Sequence, residues 1–388
     1  MTPTSKRYAN LATALAALAL FSVFTTLFLV LEVQWEIALL AIAAAGGLYA
    51  AGRSGFADRI QAVGAAHPRS APAAVAIALL LVIAVLHQSH FALLMLATVA
   101  LYATACMGLT VQFGYAGLTN FAGAAFFGIG GYTTAMLAAK TGVPHLLVLF
   151  AGGVMAALIG SLLVLPILRT RGHYTALITI AFAILFKTFL EVNDALGGPQ
   201  GLKVPGLHLF GWDFNRRIEF GADGEISFFL SYAVLSLLLA LGAFVLVKRL
   251  ERSWLGLTLD ALRLDETAAA SFGINVARWK IAAFTFGNFL AGIAGGVYAM
   301  MLGYIAPTSF TFGDSLILVS IVILAGSGNP LGVIPATLLV VVLPEKLQLI
   351  QEYRFLLFAL LVMLILVYRP DGLLPRRLRE YFAGWRRA

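Results

Sequence analysis

Few side chains in this sequence could do acid–base or metal chemistry, and their spacing argues against most of it. His87 and His90 stand three apart, as metal ligands on a helix can, but no carboxylate or cysteine lies near them in sequence. They read as an interfacial polar turn. Lys187 and Glu191 stand four apart, the spacing at which opposite charges pair on one helix face. Asp314 opens an apolar run, where a carboxylate serves as a helix cap. No series of buried acids or histidines, of the kind a proton relay needs, is apparent. None of the seven lysines follows a glycine, so the phosphate loop G-x-x-x-x-G-K with Ser or Thr next is missing. With no Ser/His/Asp, paired-carboxylate or metal constellation in view, the sequence predicts a chain that is not an enzyme. No catalytic residue, metal or cofactor is expected.

Two segments could do work of another kind. The first, R-L-D-E-T-A-A-A-S-F-G over 263–273, is a charged, alanine-rich helical pattern between two long apolar spans. On a continuous helix Arg263, Glu266 and Ala270 share one face, and Leu262, Ala269 and Phe272 lie near another. Such a helix suits a grip on a soluble motor, and its plain alternative is a charged interfacial loop. The second segment runs over 112–132 and is rich in glycine. There Gln112, Tyr115, Thr119, Asn120 and Tyr132 offer hydrogen-bonding groups without net charge, and Asn329 adds another in G-S-G-N-P-L-G over 326–332. A wall of this kind fits a neutral or zwitterionic substrate, and these six are the translocation-path candidates. The competing reading is close helix packing, because small residues let backbones approach and polar groups can be satisfied between helices.

Composition sets the elements that must hold these segments. The 388 residues are 61% hydrophobic and 11% charged, with mean hydropathy +0.94. A soluble domain is about 45–50% apolar and about 25% charged. The predicted fold class is therefore all-α, a polytopic integral membrane protein of about 10–12 transmembrane helices, some short or broken. Candidate spans cover 8–31, 35–52, 72–87, 90–111, 116–139, 145–168, 173–192, 227–248, 279–303, 314–326, 331–344 and 355–368. The pair 314–326 and 331–344 reads as two half-length helices or a re-entrant hairpin. The net charge of +8 sits beside apolar spans, so it marks orientation and not nucleic-acid binding. Arg53, Arg59 and Arg69, the bases of 248–280, and Arg369, Arg376 and Arg377 belong in the cytoplasm. The acid-rich segment 191–225 belongs outside, and both termini are expected inside.

Seven segments in order then carry a family resemblance. They are G-Y-A-G-L-T-N over 114–120, F-F-G-I-G-G-Y-T over 126–133, R-T-R-G-H-Y-T-A-L-I-T over 169–179, G-G-P-Q-G-L over 197–202, residues 266–275, L-A-G-S-G-N-P-L-G over 324–332 and Y-R-P-D-G-L over 368–373. Together they resemble the permease subunits of branched-chain amino-acid ABC importers, of the M type in the leucine/isoleucine/valine system. Ala268 and Ala269 followed by Gly273 resemble the coupling-helix motif of ABC importer permeases. In that motif a glutamate directly precedes the alanines. Here Thr267 takes that place, the acid is displaced to Glu266, and the closing Leu-Pro is missing. ATPase coupling thus maps onto Glu266, Ala268, Ala269 and Gly273, with Arg263 beside them.

The resemblance implies variable leading helices over 1–88, a permease core over 89–375 and a basic cytoplasmic tail over 376–388. It implies a bacterial inner-membrane subunit that passes branched-chain or related hydrophobic amino acids. Its partners would be a second, H-type permease, two cytoplasmic ATP-binding subunits, a substrate-binding protein outside and membrane lipid. The family also includes permeases for urea and short amides. The rival class is a secondary transporter that works alone.

Overall fold

The computed structural model describes residues 3–31, 70–168, 174–209, 211–216 and 225–346 almost continuously. It adds 33–37 and scattered positions that include Gly372, Leu374 and Arg376. Most of the expected spans over 355–368 and 35–52, the arginines at 53, 59, 69, 169, 171, 369 and 377, and the tail beyond 376 lie outside the described residues.

The described residues are helical almost throughout. Helix α1 is Pro3–Val30, α2 is Ser70–Val85, and α3 is His90–Thr110, which runs on as a π-helical turn, Val111–Tyr115. Next come α4 (Gly123–Lys140), α5 (His145–Ile167), α6 (Tyr174–Val192) and α7 (Phe229–Arg252). Two short helices follow, α8 (Trp254–Leu264) and α9 (Glu266–Ser271), then α10 (Val276–Leu302), α11 (Phe312–Ala325) and α12 (Pro330–Lys346). Six of the described helical stretches are long and apolar enough to cross a membrane. Two-residue ribbons occupy the connections at one end, here the sheet end. There β1 (Leu202–Lys203) pairs with β6 (Tyr304–Ile305), β2 (His208–Leu209) with β3 (Trp212–Asp213), and β4 (Ile218–Glu219) with β5 (Glu225–Ile226). The α8–α9 elbow caps the opposite end.

Helix α3 forms the axis, with 83% of its most apolar window buried, against 28% for the peripheral α6. Helix α10 packs most extensively on α5, α4 and α3. Glycine makes this possible: a Cβ on Gly130 would fall on the Gly292 carbonyl, and one on Gly108 on the Gly287 carbonyl. Backbones this close gain dispersion contacts that lipid chains cannot supply, which is how helices associate where hydrophobic burial offers no net drive.

Two elements differ from expectation. The span read over 116–139 becomes helical only at Gly123, and residues 117–122 are unwound. The unwound backbone is tolerated because its amides have partners: Leu118 N donates to Gln112 O at 2.8 Å, Phe121 N to Thr179 Oγ1 at 3.1 Å and Ala122 N to Asn120 Oδ1 at 2.9 Å. The single helix expected over 260–273 is broken at Asp265, whose backbone is extended. Its carboxylate accepts from Thr267 N at 2.8 Å and Ala268 N at 3.0 Å, which starts a new helix. The pair split near 326–332 forms the two short helices expected, α11 and α12, around a tight turn with Gly326 and Gly328 at positive φ. Asp314 serves α11 as the third residue of a capping box with Thr311.

Candidate functional site

Two polar constructions stand out. The first is sealed between α3, α10 and the unwound 117–122 segment. Gln112 Nε2 donates to Phe284 O and to Asn288 Oδ1, both at 3.0 Å. Asn120 Nδ2 donates to Gln112 Oε1 at 2.7 Å and to Asn288 Oδ1 at 3.3 Å. All three side chains are buried and hold one another through these bonds, while Asn288 Nδ2 finds no partner among the described residues. An unpaired amide here would cost about 1–3 kcal/mol. Of the six path candidates, Tyr115 and Tyr132 are also buried, with hydroxyls that find no hydrogen-bond partner among the described residues. Asn329 is buried too and ties the α11–α12 turn to the C-terminal segment, donating from Nδ2 to Leu374 O at 3.0 Å. Thr119 alone is half-exposed. The six therefore do not line one open wall within this subunit.

The second construction is the elbow. Helix α9 starts on the Asp265 cap and ends in a left-handed glycine. Gly273 has φ +82, its N–H donates to Ala270 O at 2.9 Å, and Ile274 N donates to Ala269 O at 3.1 Å. This pair of bonds is a Schellman stop, for which glycine is needed because a side chain disfavours that backbone. The Asp265 carboxyl is held below its ordinary value of 3.8 by the Ala268 amide first and the Thr267 amide second. Ala269 packs inward, whereas Ala268, Gly273 and Phe272 face out, Phe272 at 88% exposure. The break at Asp265 separates Arg263 from Glu266. Arg263 turns to the bundle and donates from Nη1 to Gly114 O at 2.6 Å, while Glu266 pairs with Lys280 Nζ on α10 at 2.5 Å.

Residue spacing did not reveal several participants. Asn288, Lys280 and Asp260 each find a partner through tertiary contact, although Asn288 on an apolar glycine-rich span was a visible signal. Arg376, assigned by charge to the solvated tail, is instead packed inside the elbow end with a 6% exposed side chain. It left the tail because Asp260 offers it a bidentate carboxylate at 2.6 and 2.8 Å. The expected helix-face pair does form, with Lys187 Nζ 3.2 Å from Glu191 Oε1. His87 and His90 go separate ways, to Ala84 O and to Ser227 Oγ. Among the described residues no group of three or more His, Cys, Asp or Glu could hold a metal ion.

Glycine-paired spanning helices, a sealed amide network and an amphipathic elbow at one end define a multi-pass α-helical membrane protein. Residues 91–367 match the family described as branched-chain amino acid transport system / permease component, and the chain belongs to that family. It is 38% identical over 283 residues to the high-affinity branched-chain amino acid transport system permease protein LivM of Escherichia coli K12. That match covers 69% of this chain and 66% of the relative, so just under two thirds of the curated protein's length is spanned. LivM of Methanocaldococcus jannaschii is 25% identical over 328 residues, covering 71% of this chain and 91% of that one. LivH of Salmonella typhimurium is 24% identical over 289 residues, with the same two shares. No solved structure matches the chain.

Proposed function

We infer that the chain is the transmembrane permease subunit of an ATP-binding-cassette importer for branched-chain or related hydrophobic amino acids. The observation that carries this reading is the elbow. It presents Phe272, Ala268 and Gly273 outward at one end of the bundle while Ala269, Arg263 and Glu266 anchor it from behind. An aromatic ring at 88% exposure beside charged residues suits a protein contact better than a core.

In this reading the elbow end and both termini face the cytoplasm of a bacterial inner membrane, as the basic residues around 248–280 favour. An H-type permease completes the pore, and two ATP-binding subunits hold the elbows and hydrolyse ATP. A substrate-binding protein delivers to the sheet end, so the chain itself performs no catalysis. The motor shifts the bundle between inward- and outward-facing states only through its differential affinity for them. Thr119 is the path candidate that reaches the translocation route. Gln112, Asn120, Tyr115, Tyr132 and Asn329 shape that route from behind.

The test is to isolate the tagged protein from its native membranes in mild detergent, identify what accompanies it and assay the reconstituted complex. A P-loop ATPase, a second permease and uptake of leucine, isoleucine or valine are the expected results. Recovery of the chain alone would mark it as an autonomous transporter. Glu266→Arg should insert normally yet lose the ATPase and nearly all uptake. Because Glu266 pairs with Lys280, Glu266→Arg combined with Lys280→Glu separates the roles. If the double variant regains full uptake, the glutamate serves only the internal pair and the motor contact belongs elsewhere on the elbow.

A further inference from the structure

The geometry points to Arg376 as a positioning residue that locks the elbow to the π-helical turn and transmits the elbow's movement into the bundle. This rests on the transport reading above. The guanidinium forks onto Asp260 of α8, Nη1 to Oδ1 at 2.6 Å and Nη2 to Oδ2 at 2.8 Å. Its Nε lies 3.6 Å from Glu251 Oε1 at the end of α7, and the other oxygen of that glutamate holds Lys248 at 2.8 Å. Its flat face covers the Tyr115 ring, with Cζ 3.9 Å from the centroid. Nη1 also approaches Gly114 O at 3.4 Å, the carbonyl that Arg263 of α8 holds at 2.6 Å. Its stem rests on Gly328 in the α11–α12 turn, where a Cβ would come within 2.7 Å of Arg376 Cδ.

One side chain thus joins α7, α8, the π-turn and the α11–α12 turn. Two residues of α8 converge on a single point: Arg263 directly, and Asp260 through Arg376, both reach Gly114–Tyr115. That turn also carries Gln112, the hinge of the sealed amide network. The C-terminal segment is fastened in place independently, since Leu374 N donates to Ala325 O at 3.2 Å and Leu374 O accepts from Asn329. Arg376 is therefore held from one side while it grips the elbow on the other. A buried ion pair adds little net stability, because desolvation offsets its Coulomb gain, but its fixed fork sets register. A π-turn interrupts the helix ladder and marks where α3 can yield.

Arg376→Lys keeps the charge and removes both the fork and the flat stacking face. In the reconstituted complex we expect substrate taken up per ATP hydrolysed to fall about tenfold, within the roughly 5–150-fold that coupling between sites spans. The exchanged pair Asp260→Arg with Arg376→Asp re-forms the bridge with its ends reversed and should recover part of that loss. Spin labels on Leu264→Cys and Leu165→Cys give a second readout, both sites being exposed and the native Cys106 buried. Arg376→Lys should broaden their distance distribution. If the wild-type complex shows no ATP-driven uptake, the transport reading fails by itself and the label distances still decide. An unchanged distribution, or wild-type uptake per ATP in Arg376→Lys, overturns the assignment.

Discussion

The contact of α10 with α3, α4 and α5 and the elbow end solve the same problem, holding helices together, by opposite means. At the first, side chains are removed: Gly108 meets Gly287 and Gly130 meets Gly292, and the polar network of Gln112, Asn120 and Asn288 carries no charge. At the elbow, side chains are added: Arg263, Asp260, Arg376, Glu251 and Lys248 reach across gaps and fix register with charge. The difference follows from the surroundings. Ionised groups are costly at bilayer depth, so shape does the work there, while at the aqueous edge charge is cheap and can be rearranged. A rigid core beside an electrostatically jointed end is the division of labour a motor-driven permease requires.

The strongest way to break this comparison is Gly130→Leu. Forcing a whole side chain between α4 and α10 should cost more than the about 1–3 kcal/mol of ordinary overpacking, and folded protein should vanish from the membrane fraction. A well-folded, monodisperse Gly130→Leu protein would show that the glycine contacts are incidental. Gln112→Leu comes next. It strips Asn120 of its 2.7 Å acceptor and should cost about 1–3 kcal/mol, read as a lower thermal midpoint in detergent, with uptake per folded molecule preserved. Loss of uptake at unchanged stability would instead place Gln112 on the substrate route.

The smallest effect sharpens the elbow side. Asp265 is depressed below its ordinary value of 3.8 by the amides it caps. The folded elbow therefore binds fewer protons than the unfolded one just below that value. The cap's contribution is complete above pH 3.8 and is lost as pH falls through the lower folded value. Amide protection at Thr267 and Ala268, corrected for intrinsic exchange, should decline over that window. In Asp265→Asn it should be flat.

Local features were legible in the residues. The Lys187–Glu191 pair and the Asp314 cap depend on neighbours three or four positions away, and helix geometry alone brings these together. The two short helices around 326–329 were legible because Gly and Pro punctuate the run. The break at Asp265 was missed because the pattern around it reads as one amphipathic helix, although an Asp before Glu-Thr-Ala-Ala is itself a cap signal. The polar residues over 112–132 were visible, but where they point was not. Gln112 and Asn288 stand 176 positions apart, and no periodicity links them.

By itself the sequence determined the class of protein, because transfer from water to lipid acts residue by residue and sums along the chain. It also determined the family, through motifs whose order survives without coordinates. Only the tertiary structure decided that the amides are sealed, that Glu266 answers to Lys280, and that Arg376 leaves the tail for the elbow. Those outcomes depend on which distant groups the packing brings within reach of one another, which no local spacing encodes.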